Sequence, residues 1–434
     1  MKLDIHNLTD RSLLCHWNSK SPQEHLILLP NQPTNINTPS RNSMMTLTAH
    51  QSMSQRGQKD EIWLSTTSFS LRPRSRALWA VMEVDESAPW MIYRCRVSRR
   101  RHKLLILSKR DSLSFLSGLS DFTPLSSLCL PGTHDTLALY GWPVAQCQSL
   151  GSSLSYQLQS GIRAIDIRLA IKEGRLMAYH GVVPQKVSFQ QVLSEVYDFL
   201  TDPASCRETI VMSIKQEDFA TTPPPDFSAL VHKEIQMGPG GMEMWFLENR
   251  VPMLGEVRGK VIMFSRFGGD GAGWEGGLEG MGIHPARWPD SEKKGFVWSC
   301  KNTLVKTQDW YEIPSFLSIP EKVELATKVL VTPNDGSMVP TLAISFFSAT
   351  SFPLALPTTV ARGFGWPRTG FGVEGVNSRF GLWLIDALSG KLYGEKGTII
   401  PCPKVKGWTF MDFFEDPEDC AVIPLLIECN FRGA

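Results

Sequence analysis

The chain contains no CxxC pair, and its nine cysteines form an odd set spread from Cys15 to Cys429. Zinc-ligand spacing is therefore missing, and a complete disulfide framework does not suit the set. No stretch approaches ~18 uninterrupted apolar residues, so no transmembrane helix is expected. The start, Met1-Lys2-Leu3-Asp4-Ile5-His6, lacks the apolar centre of a signal peptide. These absences predict a reducing, intracellular setting, cytoplasmic or peripheral to a membrane. An excess of one charge sign is also lacking. Lys plus Arg number 44 against 43 Asp plus Glu, a formal charge of +1, which argues against a general nucleic-acid binder. Nothing in the sequence reports an oligomeric state.

What is present is ample core. The chain has 434 residues, 42% of them apolar and 20% charged, enough for more than one domain. Two are expected: a β-rich domain over residues 1–115 of unknown role, and a second domain over residues 116–434. In the first, short apolar runs such as Leu26-Ile27-Leu28-Leu29 and Leu78-Trp79-Ala80-Val81-Met82 alternate with Pro, Asn, Ser and Gln clusters. The polar stretch from Asn31 to Lys59 reads as a long or partly disordered loop. The cations from Arg94 to Arg110 read as a solvated strand face and linker, with a patch for anionic lipid as the sharper alternative.

From Leu125 the rhythm becomes strand, loop, helix. Strands are expected at Ser127–Leu130, Ala164–Leu169, Leu176–His180, Thr209–Ile214, Lys260–Phe264, Leu342–Phe347 and Trp408–Met411. Val187–Leu200, with Ser188 as cap, and Pro320–Val331 have helical spacing. Such alternation implies a mainly parallel sheet, closed into a barrel or doubly wound. Gly- and Pro-rich segments at 221–241, 268–282 and 353–375 read as long loops.

Polar residues gather at the C-terminal ends of these strands. His134 and Asp135 follow the first, Arg168 and His180 end the next two, and Lys215, Arg266 and Asp412 follow later ones. A (β/α) barrel collects such positions into one mouth. Two histidines, carboxylates and an arginine suit acid–base chemistry on a phosphodiester. Histidine serves as base or acid near neutral pH, and the planar guanidinium matches phosphate oxygens.

The segment from Leu125 to Phe414 resembles the catalytic X region of phosphatidylinositol-specific phospholipase C in its bacterial-like form. The resemblance rests on PGTHD at 131–135, GIRAIDIRL at 161–169, YHG at 179–181, ETIVMSIKQED at 208–218, LGEVRGKVIMFSRF at 254–267, WPD at 288–290, TQDWY at 307–311 and MDF at 411–413. Fungal phospholipase-C-like phosphodiesterases are similar in pairing such a barrel with an N-terminal β-rich region. The resemblance implies an α/β fold, a distorted (β/α)8 TIM-type barrel. It implies His134 as general base oriented by Asp412, His180 as general acid partnered by Asp135, and Arg168 on the phosphoryl oxygens. Lys215, Arg266, Asp309 and Tyr311 match inositol-binding positions, and Trp288 and Asp290 sit in the matching rim. The implied substrate is phosphatidylinositol or a glycosylated anchor of it, cleaved to diacylglycerol and a 1,2-cyclic inositol phosphate.

Calcium is not expected, nor any other cofactor or metal, because Arg168 stands where calcium-using relatives place an acidic ligand and Asp135 stands in place of their Asn. Asp166 and Glu217 remain near the mouth, either as partners of Arg168 and Lys215 or as ligands for a hard cation; pairing is the preferred reading. A lipid substrate implies peripheral membrane contact. Trp142, Phe352, Leu354 and Trp366 are the candidate rim residues, with packing of the 351–371 loop against the barrel left open. Two other readings stand beside the enzyme: a catalytically weak inositol-phospholipid-binding barrel, and a metal-dependent phosphodiesterase of the same superfamily.

Overall fold

The computed structural model describes residues 1–17, 25–37, 44–49, 65–71, 77–331, 339–366, 371–390, 392–393, 399–400, 404–418 and 421–432. They form two compact units.

The first unit is residues 1–110 together with 381–402 and 417–421. Among its described residues it contains two larger sheets and the strand pair Leu392–Tyr393 with Ile399–Ile400. One larger sheet runs Pro33–Asn37, Lys2–Asn7, Arg101–Ser108, Trp90–Arg96, Trp79–Val81; the other runs His25–Leu28, Leu13–Trp17, Met44–Ala49, Thr66–Ser70. Alternate residues of both sheets meet in one core, among them Leu3 and Ile5, Leu13 and Cys15, Met45 and Leu47, Ile92, and Leu104 and Ile106. Strand period 2 explains that alternation. Two expectations change here. The stretch from Asn31 to Lys59 is not simply a loop, because Pro33–Asn37 and Met44–Ala49 are strands; the rest of it lies largely outside the described residues. The boundary falls after Arg110 rather than at residue 115, and C-terminal segments join the first unit. The reason is long-range packing that spacing does not reveal. A Cβ on Gly381 would come within 2.0 Å of the Trp79 ring, and Lys103 Nζ is 2.6 Å from Asp386. The basic run is likewise only partly solvated: Arg94, His102 and Lys103 are buried, while Arg99 and Arg100 are exposed at the hairpin turn.

The second unit is residues 111–380, 403–416 and 422–434. Its sheet carries a parallel series in the order Trp245–Phe246, Val261–Arg266, Ile210–Gln216, Ala164–Lys172, Cys129–Thr133, Gly407–Met411, Thr341–Phe346, Thr303–Gln308. Phe296–Cys300 adds antiparallel to the last of these, and the hairpin Arg175–His180 with Val183–Ser188 adds to Ala164–Lys172. Among the described residues no ladder joins the two outer parallel strands. All seven expected strands exist, shifted by a few residues at their ends. Phe189–Thr201 is a helix with a full capping box, Ser188 with Gln191, and Ile319–Lys328 is the other expected helix.

The Pro-rich segment at 221–241 is not a loop. Pro224–Met237 is a helix with proline at its first turn and Phe227, Val231 and Ile235 buried. Proline is pre-set for that position, so its presence there starts the helix rather than breaking it. Residues 353–375 also contain the short helix Pro357–Arg362 and the strand pair Gly363–Trp366 and Phe371–Glu374. No helix among the described residues is long and apolar enough to cross a membrane.

One buried ion pair ties the segment before the barrel to it. Arg163 Nε is 2.8 Å from Glu208, with both side chains fully inaccessible. Arg163 also donates to the carbonyls of Ser112, Leu113, Leu158 and Ile162, and Glu208 accepts from the Leu116 and Ser117 amides. Removing one partner strands the other charge. Glu208→Ala is expected to cost about 3–5 kcal/mol in urea unfolding, against at most ~1 kcal/mol for Glu321→Ala, which removes the half-exposed pair with Lys293. Equal losses would overturn that account.

Candidate active site

Sheet register builds the site. Cys129–Thr133 lies between Ala164–Lys172 and Gly407–Met411, with Thr133 opposite Met411. The next residue on each, His134 and Asp412, therefore meet across the strand ends, Nδ1 to Oδ1 at 2.7 Å. Gly132 is required for this closeness, since a Cβ there would lie 2.4 Å from the Thr409 carbonyl oxygen and 2.5 Å from that of Ala164. On the other side, Arg168, Lys215 and Arg266 stand in register on three successive parallel strands. Asp166, two residues before Arg168, shares its face. Asp135 adopts φ +42°, a left-handed turn that carries the chain away after His134.

The cations are held by carboxylates. Arg168 lies 3.2 Å from Asp166, 3.5 Å from Asp135 and 3.4 Å from Glu217. Burial alone would lower its pKa; Asp135, Asp166 and Glu217 overcome that and hold it well above its ordinary value. Burial likewise works to raise Asp166 and Glu217, and Arg168 leads the charges that bring both below the usual carboxylate range. Lys215 sits 3.0 Å from Glu217, and its pKa is lowered, first by Arg168 and then by burial. Arg266 is 3.4 Å from Asp166 and 3.8 Å from Asp309, and its guanidinium lies 4.1 Å from the Trp288 ring. Trp288 Nε1 donates to Asp309 at 2.9 Å, and the Tyr311 hydroxyl donates to Asp290.

Proton positions follow from the donors. Arg168 Nη2 is 2.6 Å from His134 Nε2. Guanidinium only donates, so Nε2 must accept and the ring proton resides on Nδ1, donated to Asp412. Burial first, then Arg168, pushes His134 well below the ordinary 6.5. Burial and Asp135 push Asp412 up. Because Nε2 bears no proton, the imidazole is neutral and its single ring proton lies on Nδ1, toward Asp412 Oδ1.

The second pair is looser. His180 Nδ1 is 2.9 Å from Asp135 Oδ2 and also 2.9 Å from the Ala145 carbonyl. The hydrogen bond goes to the carbonyl; Asp135 Oδ2 is buried at ion-pair distance without an aligned hydrogen. Asp135 thus stands at ion-pair distance from His180, whose hydrogen bond goes to the Ala145 backbone.

His134, Arg168, His180, Lys215, Arg266, Trp288, Asp290, Asp309, Tyr311 and Asp412 all border one cavity of about 660 Å³. Asp135 stands behind His180. Of the expected rim residues, Trp142, Phe352 and Leu354 are exposed at 73%, 71% and 56%. Trp366 ends the Gly363–Trp366 strand, but its side chain lies outside the described residues. Asp166 proves to be the partner of Arg168 and Arg266, with Ser213 and the Asp135 amide also bonded to it.

Sequence reasoning missed three contributors. Cys147 lines the cavity with Sγ 3.7 Å from His180 Nδ1; a solitary cysteine in a loop gives no signal. Phe346 packs edge-on to His134 with ring centroids 6.1 Å apart, and looked like an ordinary strand residue. Lys322 is fully buried and donates to the Trp310 carbonyl at 2.8 Å. Burial lowers its pKa to about 8, opposed by Asp309 and Asp412. Nothing local in the sequence separates it from other helix cations.

Residues 132–266 match the family model described as phosphatidylinositol-specific phospholipase C, X domain. A 1-phosphatidylinositol phosphodiesterase of Listeria monocytogenes is 33% identical over 178 residues, covering 35% of this chain and 48% of that protein. Another from Staphylococcus aureus is 26% identical over 260 residues, covering 57% of this chain and 80% of that one. The chain thus spans about half of the first relative and most of the second. Among solved structures, phosphatidylinositol-specific phospholipase C from S. aureus superposes with TM-score 0.56 at 20% identity, covering 74% of this chain and 98% of that one. The L. monocytogenes enzyme gives 0.50 at 24% identity, covering 74% and 99%. Those likenesses show the fold, a TIM-type barrel with an incomplete ladder. Over residues 132–266 the chain is thus similar to the X domain of phosphatidylinositol-specific phospholipase C.

Proposed function

We propose that this protein is a phosphodiesterase that cleaves phosphatidylinositol, or a glycosylated anchor built on it, to diacylglycerol and inositol 1,2-cyclic phosphate. The observation that carries the reading is the facing of two imidazoles across one cavity, each backed by a carboxylate, with Arg168 against the unprotonated nitrogen of one. His134 Nε2 takes the proton of the inositol 2-hydroxyl as that oxygen attacks phosphorus. Asp412 stabilises the imidazolium that forms, the logic of a Ser-His-Asp triad. His180 protonates the departing diacylglycerol oxygen. Arg168 meets the charge on the phosphoryl oxygens. The polar wall of Lys215, Arg266, Asp309 and Tyr311 suits inositol hydroxyls, and Arg266 Nε is a buried donor with no hydrogen-bond partner among the described residues.

The mechanism is calcium-independent in this reading. Arg168 already stands among Asp135, Asp166 and Glu217, so a fixed positive charge takes the place a divalent ion would need. The curated relatives are named for action on phosphatidylinositol, and the S. aureus structure comes from work on modulation of its membrane binding. The test is a vesicle assay reading both products. Appearance of cyclic inositol phosphate and diacylglycerol supports the reading. Their absence, with inositol phospholipid bound but unchanged, would favour the binding-barrel alternative.

Membrane contact follows from the rim. Val144 and Phe219 border the cavity and are exposed at 38% and 72%. Trp142 is two residues from Val144, Val182 follows the His180 strand at 92% exposure, and Phe352 and Leu354 follow the lining residues Ser348–Thr350. Burying an aromatic side chain in an interface is worth ~1.5–3 kcal/mol. Trp142→Ser combined with Phe352→Ser is expected to weaken sedimentation with phosphatidylinositol vesicles at least ~10-fold, while cleavage of a monomeric short-chain analogue stays near wild type. Unchanged vesicle binding would show that this rim is not the contact.

A further inference from the structure

The acid side of the cavity sets Cys147, which the proposed reaction does not use, beside His180 and Asp135, which it does. Cys147 Sγ, His180 Nδ1 and a carboxylate oxygen of Asp135 lie within 4.8 Å of one another. Sγ is 3.7 Å and Asp135 Oδ2 is 2.9 Å from the same His180 nitrogen. Asp135 is 1% exposed, and its Oδ2 has no hydrogen-bond partner among the described residues. A buried carboxylate oxygen that accepts no hydrogen bond is costly, and a positive ligand held beside it would offset that cost. Zinc takes sulfur at ~2.3 Å and imidazole nitrogen at ~2.0–2.1 Å in a tetrahedron, which puts donor atoms roughly 3.3–3.6 Å apart. The observed spacings bracket that value, so small side-chain rotations suffice.

The donors are fixed by backbone. The Cys147 amide donates to Ala138, and its carbonyl accepts from Phe413. Cys147 is the one cysteine lining the cavity among the described residues; Cys206, the exposed one, lies elsewhere. Thiolate, imidazole and carboxylate together are the set a soft divalent ion prefers over calcium, which wants oxygen only. The nearest fixed cation, Arg168, is already balanced by Asp135, Asp166 and Glu217.

We propose that Asp135, Cys147 and His180 form an inhibitory zinc site, with water or a phosphate oxygen as the fourth ligand. On binding, the Cys147 thiol proton leaves to solvent, and the His180 ring proton moves from Nδ1 to Nε2. His180 is then tied to the metal instead of to Ala145 and Asp135, and no longer serves as the acid. This last consequence rests on the function proposed above; the binding itself does not.

The experiment uses the full chain with cobalt as spectroscopic probe and zinc as inhibitor, in wild type, Cys147→Ala, Cys147→Ser and Cys206→Ser. Thiolate-to-cobalt absorption is expected in wild type and Cys206→Ser, at one ion per chain, and is lost in both Cys147 variants. Loss of an outer-shell partner alone weakens metal sites ~10–100-fold, so loss of the thiolate is expected to raise the zinc needed for half inhibition at least ~100-fold. Circular dichroism identifies any variant that does not fold, and serine keeps the size of cysteine. Absence of the absorption in wild type, its persistence without Cys147, or equal zinc sensitivity of all four proteins overturns the proposal. Should the wild type cleave no phosphatidylinositol, the function reading fails while the cobalt spectrum still decides the site.

Discussion

His134→Ala is expected to lower kcat on phosphatidylinositol by ~10²–10⁴-fold, the usual contribution of one positioned proton-transfer group. KM should change little, because the imidazole acts on the hydroxyl proton and the cations of the Arg168 row hold the phosphate side. The geometry makes a narrower claim than loss of activity. His134 presents an unprotonated Nε2 and is held well below 6.5 by burial and by Arg168. A base must be neutral to work, and a depressed pKa keeps it neutral further into acid. The acidic limb of kcat/KM therefore falls below pH 6.5 rather than at it. Asp412→Asn removes the carboxylate that stabilises the imidazolium. It should slow the reaction to a similar degree and move that limb lower still. An alanine variant within a few-fold of wild type, or an acidic limb above 6.5, would remove His134 from the role.

The positions of the two histidines, their carboxylates and the row of cations were legible because strands have a fixed period. Each motif ends a run of apolar residues, and parallel strands in register bring such ends together. What spacing does not encode is the third dimension between elements. Cys147 lies in the loop after the first barrel strand, and nothing local marks it as a neighbour of His180. Lys322 looks like any helix cation until the helix is docked, when Nζ finds the Trp310 carbonyl beneath the site. Pro224 and Pro225 read as loop formers, yet they occupy the first turn of a helix where their missing amides cost nothing. The first unit shows the same limit. Its recruitment of residues 381–402 depends on Gly381 against Trp79 and Lys103 against Asp386, contacts between positions far apart in the chain.

Arg168→Ala is expected to reduce kcat by ~10³–10⁵-fold, the range for a guanidinium that meets transferring phosphoryl charge. Arg168→Lys should recover little, because a single ammonium cannot reproduce the planar fork that reaches Asp166, Glu217 and His134 together. Wild-type activity should be complete in excess chelator, since the positive charge at the phosphate is covalent in the chain; abolished activity there would overturn metal independence. A purely structural role for Arg168 is separated by the pH profile. Arg168 lowers the pKa of His134, so its removal raises that pKa. The base is then protonated at higher pH, and the residual activity of Arg168→Ala should show its acidic limb displaced upward. Asp412→Asn displaces it downward. Opposite movements from two residues on one imidazole require that both act through His134; displacement in the same direction, or in neither, would show that the ring is not the group they share.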